Sequence, residues 1–426
     1  MNIALLTIGD ELLIGQVLNS NAKWLSEKLT EYGVTVSHHL TVGDSFTAIH
    51  QALDFLSSAD AIIVGGGLGP THDDLTMEAL SRYFAIPLEY DAEWISKVEA
   101  YFKARNRPMA ENNKKQGYLL KTATRIDNHW GTAAGQYFKI TTKNHANKKQ
   151  EIFVVPGVPH ELKGMAEEFI FPHLQKSAGS STILKQTLLV TGIGESALAQ
   201  KCAPTVAKIK ALHSSGEKNI TLAFLPSSTE VRLRLQLLSS DKSNRAEDQK
   251  LFDELKMQLI EQCGADFYGI EPMNIETLLI HKLKEQSKTL AIAESCTGGL
   301  ISHRLTQVPG ASSALKGSLI AYHEELKIND LGIPETFIQE RGIVSEQVAK
   351  AMADAIRQKW NTNFGMATTG YLGPGGGDAH ASIGTVCVAV SGENGTAAKT
   401  FTFENHRERN KERAAQAALD LLRRMI

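Results

Sequence analysis

Residues 61–74 read AIIVGGGLGPTHDD. An apolar run of Ala61, Ile62, Ile63 and Val64 enters three glycines, and Asp73 and Asp74 follow closely. A short apolar run closed by glycine is the pattern of a strand buried on both faces of a parallel sheet. Glycines directly after such a strand let the backbone approach an anionic ligand, and a following helix start adds N–H donors. Ligand sites of open α/β sheets lie at these carboxyl strand ends. Carboxylates there repel a phosphate unless a divalent cation lies between them.

Outward from this stretch the same grammar repeats. NIALLTI (2–8) reads as a strand, 20–32 as a helix with Ala22, Leu25 and Leu29 on one face, 34–36 as a strand and 46–57 as a helix. Helices are expected at 74–84, 92–105 and 160–174, with a strand over EIFVV (151–155). Alternating strand and helix at this spacing predicts an α/β domain, a parallel sheet covered on both faces. Asp10 and Glu11 end the first strand and Asp44 precedes the second helix, so all are expected near the same sheet edge as Asp73 and Asp74.

A polar stretch, Gln175–Thr182, reads as a linker. The next hundred or so residues predict a small α+β module: strands at 186–191, 220–225, 230–237 and 265–268, helices at 195–211 and 245–262. Val231, Leu233 and Leu235 alternate with Arg232, Arg234 and Gln236, the period of a half-exposed strand. A third unit predicts strands at 289–293, 317–322, 364–369, 384–391 and 397–403. Its helices are expected at 275–287, 298–306, 345–360 and 408–425, the third capped by Ser345. The domains are therefore 1–175, 180–270 and 273–426.

In TLAIAESCTGG (289–299) Ser295 falls on a strand-to-helix turn. Such a turn presents a hydroxyl at the sheet edge, with helical N–H groups aimed at a developing oxyanion. A serine needs a base. GSLIAYHEELK offers Tyr322 and Lys327, and a desolvated lysine is neutral near pH 7. Cys296 competes as nucleophile, since a helix N-terminus lowers a thiol pKa; the same pattern also fits a small buried hydrophobe. Spacing alone favours Ser295 but does not select Lys327 among the lysines.

Composition narrows the partners. The chain has 426 residues, 42% apolar and 22% charged, with 45 Lys+Arg against 47 Asp+Glu, so no global basic field draws it to nucleic acid or membrane. Four scattered cysteines (Cys202, Cys263, Cys296, Cys387) without a CxxC pair argue against a disulfide framework or structural zinc and suit a cytoplasmic protein. No secretory leader is read at the N-terminus, and no apolar stretch reaches the roughly 18 residues of a membrane span.

The blocks TIGDELLIGQVLNSNA, VGD, GGGLGPTHDDLT, NKKQ, GTAAG and VPGVPHELKGM resemble the N-terminal domain of the CinA (competence/damage-inducible) family, itself similar to MoaB/MogA-type molybdopterin-binding domains. GTAAG stands where the family has GTAPG. The resemblance implies a three-layer fold and hydrolysis of ADP-ribose to AMP and ribose 5-phosphate with a divalent cation (Mg, Mn or Co). It places Asp44, Asp73 and Asp74 near the metal, and Gly66, Gly67, Gly69, Thr71, Asn112, Lys115 and Gln116 on the ligand, Lys115 toward a phosphate.

AESCTGG, AYHEELK, RGIVSEQVAKAMADAI, TTGYLGPGGG and IGTV resemble the nicotinamide-nucleotide amidohydrolase (PncC) domain. That resemblance implies deamidation of nicotinamide mononucleotide to nicotinate mononucleotide and ammonia, without a cofactor. Ser295 is then the nucleophile, Lys327 its base, and Tyr322 an aid to proton transfer. Thr297, Gly298, Gly299, Thr369, Gly370, Gly375 and Gly376 line the substrate, and Arg409 meets its phosphate or a neighbouring subunit. Tyr371-Leu372 replaces the usual Ile-Ala, and Ala381-Ser382 stands where Lys-Pro or Thr-Pro is common.

LAFLPSSTEVRLRL resembles the KH-like domain of the same family. Gly192-Ile193-Gly194-Glu195 is not a GxxG loop beside a basic helix, so no nucleic-acid partner is expected. A spacer or dimerisation role is, and the whole suits a homodimer. The alternative to a bifunctional nucleotide-salvage enzyme is a non-catalytic scaffold that binds nucleotide or molybdopterin in competence.

Overall fold

A computed structural model describes residues 1–141, 148–177, 182–239, 242–404 and 406–426. It divides into two units, Met1–Ile183 with Leu238–Arg245, and Leu184–Leu237 with Ala246–Ile426. Part of the expected linker, 178–181, lies outside the described residues.

The first unit carries β1 (Asn2–Ile8), β2 (Thr35–Val42), β3 (Ala61–Gly65), β4 (Leu88–Tyr90), β5 (Tyr118–Leu120), β6 (Thr124–Ile126), β7 (Gly135–Thr141) and β8 (Lys149–Val155). Six strands form one sheet in the order β2-β1-β3-β8-β7-β6, while β4 and β5 pair separately. β2, β1, β3 and β8 run parallel, as the strand-helix alternation predicts. β7 and β6 are antiparallel additions, so the sheet is mixed. β7 and β8 are joined by too short a stretch for the crossover that a parallel pair requires. Alternate residues of each strand feed opposite cores. Leu6, Val64 and Val154 pack with Ile49 and Leu53 of the helix Phe46–Phe55. Leu5, Ile63 and Phe153 pack with Leu25 and Leu29 of the helix Ser20–Glu31. Three layers result, with the carboxyl ends of β1 and β3 side by side at one edge.

The second unit carries two sheets. β9 (Thr182–Val190), β10 (Asn219–Pro226), β11 (Val231–Ser239) and β12 (Phe267–Ile270) order as β10-β11-β9-β12. Val231, Leu233, Leu235 and Leu237 of β11 are buried, as their alternation requires. The expected helix over 195–211 is broken into Glu195–Lys201 and Ala203–Ser214, with a proline in the first turn of the second piece. A proline there needs no N–H partner but cannot sit inside a continuous helix.

β13 (Leu290–Glu294), β14 (Leu315–Ile320), β15 (Phe364–Gly370), β16 (Thr385–Gly392) and β17 (Gly395–Thr402) order as β14-β13-β15-β16-β17. β13 is parallel to β14 and β15, and β16 and β17 add antiparallel. The helices Ile275–Glu285, Leu300–Thr306 and Arg407–Arg423 cover one face. Val348, Met352 and Ile356 of Glu346–Lys359 cover the other. Ser345 caps that helix, accepting from Val348 N at 3.2 Å, a contact worth about 1 kcal/mol.

Candidate active sites

β13 ends at Glu294, and the chain must turn at once into the helix Leu300–Thr306. Gly298 (φ 53°) and Gly299 (φ 90°) make that turn in the left-handed region, where side chains other than glycine are strained. The turn holds Ser295 over the end of the sheet, its N–H donating to the Thr368 carbonyl at 3.1 Å. Lys327 approaches from the helix Glu324–Asn329, its Nζ 3.1 Å from Ser295 Oγ and donating to the Ala321 carbonyl at 2.8 Å. Lys327 is 1% exposed and Ser295 7%. Burial pulls the ammonium pKa down to about 8, against the opposing influence of Cys296 and Glu324. About a tenth of the amine is then neutral at pH 7 and about half at pH 8, and the neutral form can take a proton from the serine.

Cys296 behaves differently. A helix start should lower its pKa, but burial pushes the thiol up to about 12. Desolvation therefore outweighs the dipole, and the thiol stays protonated and inert.

The N-terminus of the adjoining helix is occupied by Glu294, a fully buried carboxylate. It accepts from Gly299 N (2.9 Å), Ile301 N (3.1 Å) and Ser302 N (2.9 Å), and from the Ser302 hydroxyl at 2.5 Å. The expected supply of oxyanion donors from the helix is thus corrected: Glu294 takes those N–H groups, while the N–H of Cys296 and Thr297 have no acceptor among the described residues.

Other expected residues separate into two groups. Thr297 is buried, and its hydroxyl meets Thr368 Oγ1 at 2.8 Å. Thr369 donates instead to the Ile343 carbonyl at 2.8 Å, so Thr368 is the threonine against the serine turn. Tyr322 lies beyond the end of β14, is 57% exposed, and accepts from Arg407 Nη2 at 2.9 Å. No hydrogen bond joins it to Ser295 or Lys327 among the described residues. Arg409 is exposed, whereas Arg407 also donates to the Gly373 carbonyl at 3.1 Å. Lys411 brings its Nζ close to Gly298. Gly375 and Gly376 are exposed in the loop after β15, which ends at Gly370. Tyr371 braces that loop, its ring against Gly376 and its hydroxyl donating to Asp378 at 2.9 Å.

In the first unit the glycine turn closes tightly on β1: a side chain at Gly66 would sit 2.1 Å from the Ile8 carbonyl. Thr76 ties the following helix back, donating to the Gly66 carbonyl at 2.9 Å. A cavity of about 450 Å³ opens beside the turn, lined by Glu11, Asp44, Gly66, Gly67, Gly69, Asp73, Asp74, Gln116 and Glu161 among others, and by no Lys or Arg among the described residues. Asp44 and Asp10 cap each other's backbone, Asp10 N donating to Asp44 Oδ2 at 3.1 Å and Asp44 N to Asp10 Oδ1 at 3.3 Å. Burial raises the Asp44 pKa, and the charges of Asp10, Glu11 and Asp74 push the same way. Burial likewise raises Glu161, while Asn128 donates to it at 2.6 Å.

Asp74 is turned inward on its own loop and accepts from Thr71 N at 2.9 Å. Asp73 is solvent-exposed. Among the described residues no three His, Cys, Asp or Glu side chains stand as a ready-made metal cluster. Lys115 bonds the Thr71 carbonyl at 3.1 Å and the Asp74 carbonyl at 2.5 Å, with Glu78 at 3.4 Å. It tethers the glycine loop and also lines a cavity beside that loop. Gln116 acts alike through the Leu68 carbonyl at 3.2 Å. Asn112 is exposed, and its neighbour Asn113 is buried against Gln116.

Three family descriptions match in succession: a probable molybdopterin binding domain over 4–176, the damage-inducible protein CinA KH domain over 185–269, and the CinA C-terminal domain over 273–426. A CinA-like protein of Salinibacter ruber is 37% identical over 427 residues, covering 100% of both chains. The chain belongs to the CinA family. A putative competence-damage inducible protein of Caldicellulosiruptor saccharolyticus is 34% identical, over 100% of this chain and 99% of its own. A CinA-like protein of Chloroherpeton thalassium is 38% identical over 99% and 98%. Among the described residues of this CinA chain no helix is long and apolar enough to cross a membrane.

Several residues of the CinA sites gave little signal in sequence. Glu294 reads there as the residue just after a strand, and Thr368 as one of two adjacent threonines. Arg407 is hidden in the charged run HRERNKER, and Glu161 in PHELKGM. Only for Glu161 was there a usable sign, a carboxylate one turn after a strand-ending proline-glycine pair.

Proposed function

We propose that this CinA protein hydrolyses the carboxamide of nicotinamide mononucleotide. The observation that carries the reading is the buried Lys327 amine, pKa about 8, at 3.1 Å from a buried serine hydroxyl. Neutral Lys327 accepts the Ser295 proton as Oγ bonds to the amide carbon. The carbonyl oxygen gathers charge, and the N–H of Cys296 and Thr297 are the donors left for it. Lys327 returns the proton to the departing nitrogen, which leaves as ammonia. Water then attacks the acyl-serine, giving its proton to Lys327, and the tetrahedral carbon collapses to nicotinate mononucleotide as Lys327 returns that proton to the leaving Ser295 Oγ. Arg407 and Lys411 supply positive charge for the nucleotide phosphate. Arg409, exposed, is left to serve a homodimer partner.

We infer a second activity for the first unit, hydrolysis of ADP-ribose to AMP and ribose 5-phosphate. The cavity's hard oxygen donors, Asp44 under the charge of three neighbouring carboxylates, and the lack of Lys or Arg in its lining suit a divalent cation held by Asp44, Asp73 and Asp74. When bound, such an ion neutralises pyrophosphate charge and lowers the pKa of a water. The chain's own part is to restrain the loop through Thr76, Lys115 and Gln116.

The test is to incubate the purified protein with each nucleotide, with and without EDTA, following ammonia and AMP. The expected result is that chelation stops AMP formation and spares ammonia release. Ammonia release that EDTA abolishes, or no turnover of nicotinamide mononucleotide at all, would sink the Ser–Lys reading.

A further inference from the structure

A cavity of the second unit, about 380 Å³, lies where the middle module's loops 191–195 and 226–231 face β17 and the helix Arg407–Arg423. Its volume lies in the range of small-ligand sites, which favour the seams between modules. Phe401 and Phe403 stack along one wall with ring centres 5.7 Å apart. Lys399 Nζ stands 5.1 Å from the centre of Phe401, and the Arg413 guanidinium 5.7 Å from that of Phe403.

The charges are unevenly matched. Arg424 is paired with Asp420 and Asp266, and Glu230 with Arg232. Lys399 and Arg413 have no carboxylate partner among the described residues. Among the described residues Glu195 is the lining carboxylate without an ion pair, since Glu230 and Asp420 are paired. Buried Gln416 and Thr191, joined at 3.2 Å, close the floor.

We propose that this cavity binds a planar aromatic anion of nucleotide size, its ring on Phe401 and Phe403 and its negative group on Lys399 and Arg413. Aromatic faces reward ring stacking, and cations left without carboxylates reward an anion. Glu195 then accepts from a hydroxyl or amine at the far end. Ser295 is not among the residues that line it, and the helix Arg407–Arg423 runs from Arg407, bonded to Tyr322, to this wall.

The test titrates the full chain with 8-anilinonaphthalene-1-sulfonate and with neutral N-phenyl-1-naphthylamine, which has the same rings. Lys399→Glu, at the exposed rim, should weaken the sulfonate by about fivefold and leave the neutral probe unchanged. Ala417→Trp, which fills the cavity, should remove the saturable binding of both. Melting curves report folding, and if the tryptophan variant does not fold, Lys399→Glu decides alone. Sulfonate affinity unchanged by Lys399→Glu, or saturable binding that persists in a folded Ala417→Trp, overturns the proposal.

Discussion

The two sheet edges of this protein are built on opposite plans. At the end of β13 the reactive groups are dry and already in register, with Lys327 and Ser295 nearly inaccessible and 3.1 Å apart. At the end of β3 the acidic groups line an open cavity, Asp74 turned back onto Thr71 and Asp73 in solvent. The chemistry explains the contrast. A lysine base works only if desolvation lowers its pKa, so its pocket must be finished by the fold itself. Carboxylates gathered at one edge repel one another, and here Asp10, Asp44 and Asp74 each accept from a backbone N–H.

The comparison can be broken most sharply at the serine. Ser295→Ala should lower ammonia release from nicotinamide mononucleotide by at least about 10³-fold, with AMP formation from ADP-ribose unchanged. An alanine variant with parental ammonia release removes Ser295 from the mechanism. Asp44→Asn should do the reverse, cutting AMP formation about 10- to 100-fold and sparing ammonia release. Equal loss of both activities would mean that the variant is misfolded or the sites are not separate.

The lysine sharpens the contrast through pH. Because the proton acceptor is the neutral amine, kcat/KM for the amide should rise about tenfold per pH unit from acid solution and level off above about 8. A flat profile from pH 6 to 9 would show that Lys327 acts only as a charged donor. The smallest effect is structural. Glu294→Gln puts an amide where five donors now meet a carboxylate, and should cost about 2 kcal/mol of stability by chemical denaturation. An unchanged midpoint would mean that the helix N-terminus does not depend on that carboxylate.

Much of this was legible in the chain because it is local. Apolar runs closing on glycine mark β1 and β3, Ser345 marks a helix start, and the alternation in β11 marks its buried face. What stayed hidden depends on rotation and parity. Thr368 and Thr369 are adjacent, and successive strand side chains point to opposite faces, so one residue decides which threonine meets Ser295. Arg407 and Arg409 lie two positions apart on a helix, about 200° around its axis, and only Arg407 reaches Tyr322 and Gly373. β6 and β7 carry no strand-helix alternation and joined the sheet unannounced.

From the sequence alone came the α/β class, the two glycine-bearing turns, the serine on one and the aspartates beside the other, because each is written in neighbouring residues. Only the folded chain chose among distant groups. It buried Lys327 out of water against a hydroxyl 32 positions away, gave the helix start to Glu294, and bound Lys115 to the glycine loop. Desolvation and pairing of charge are properties of the space around a group, and that space exists only after the chain has closed upon itself.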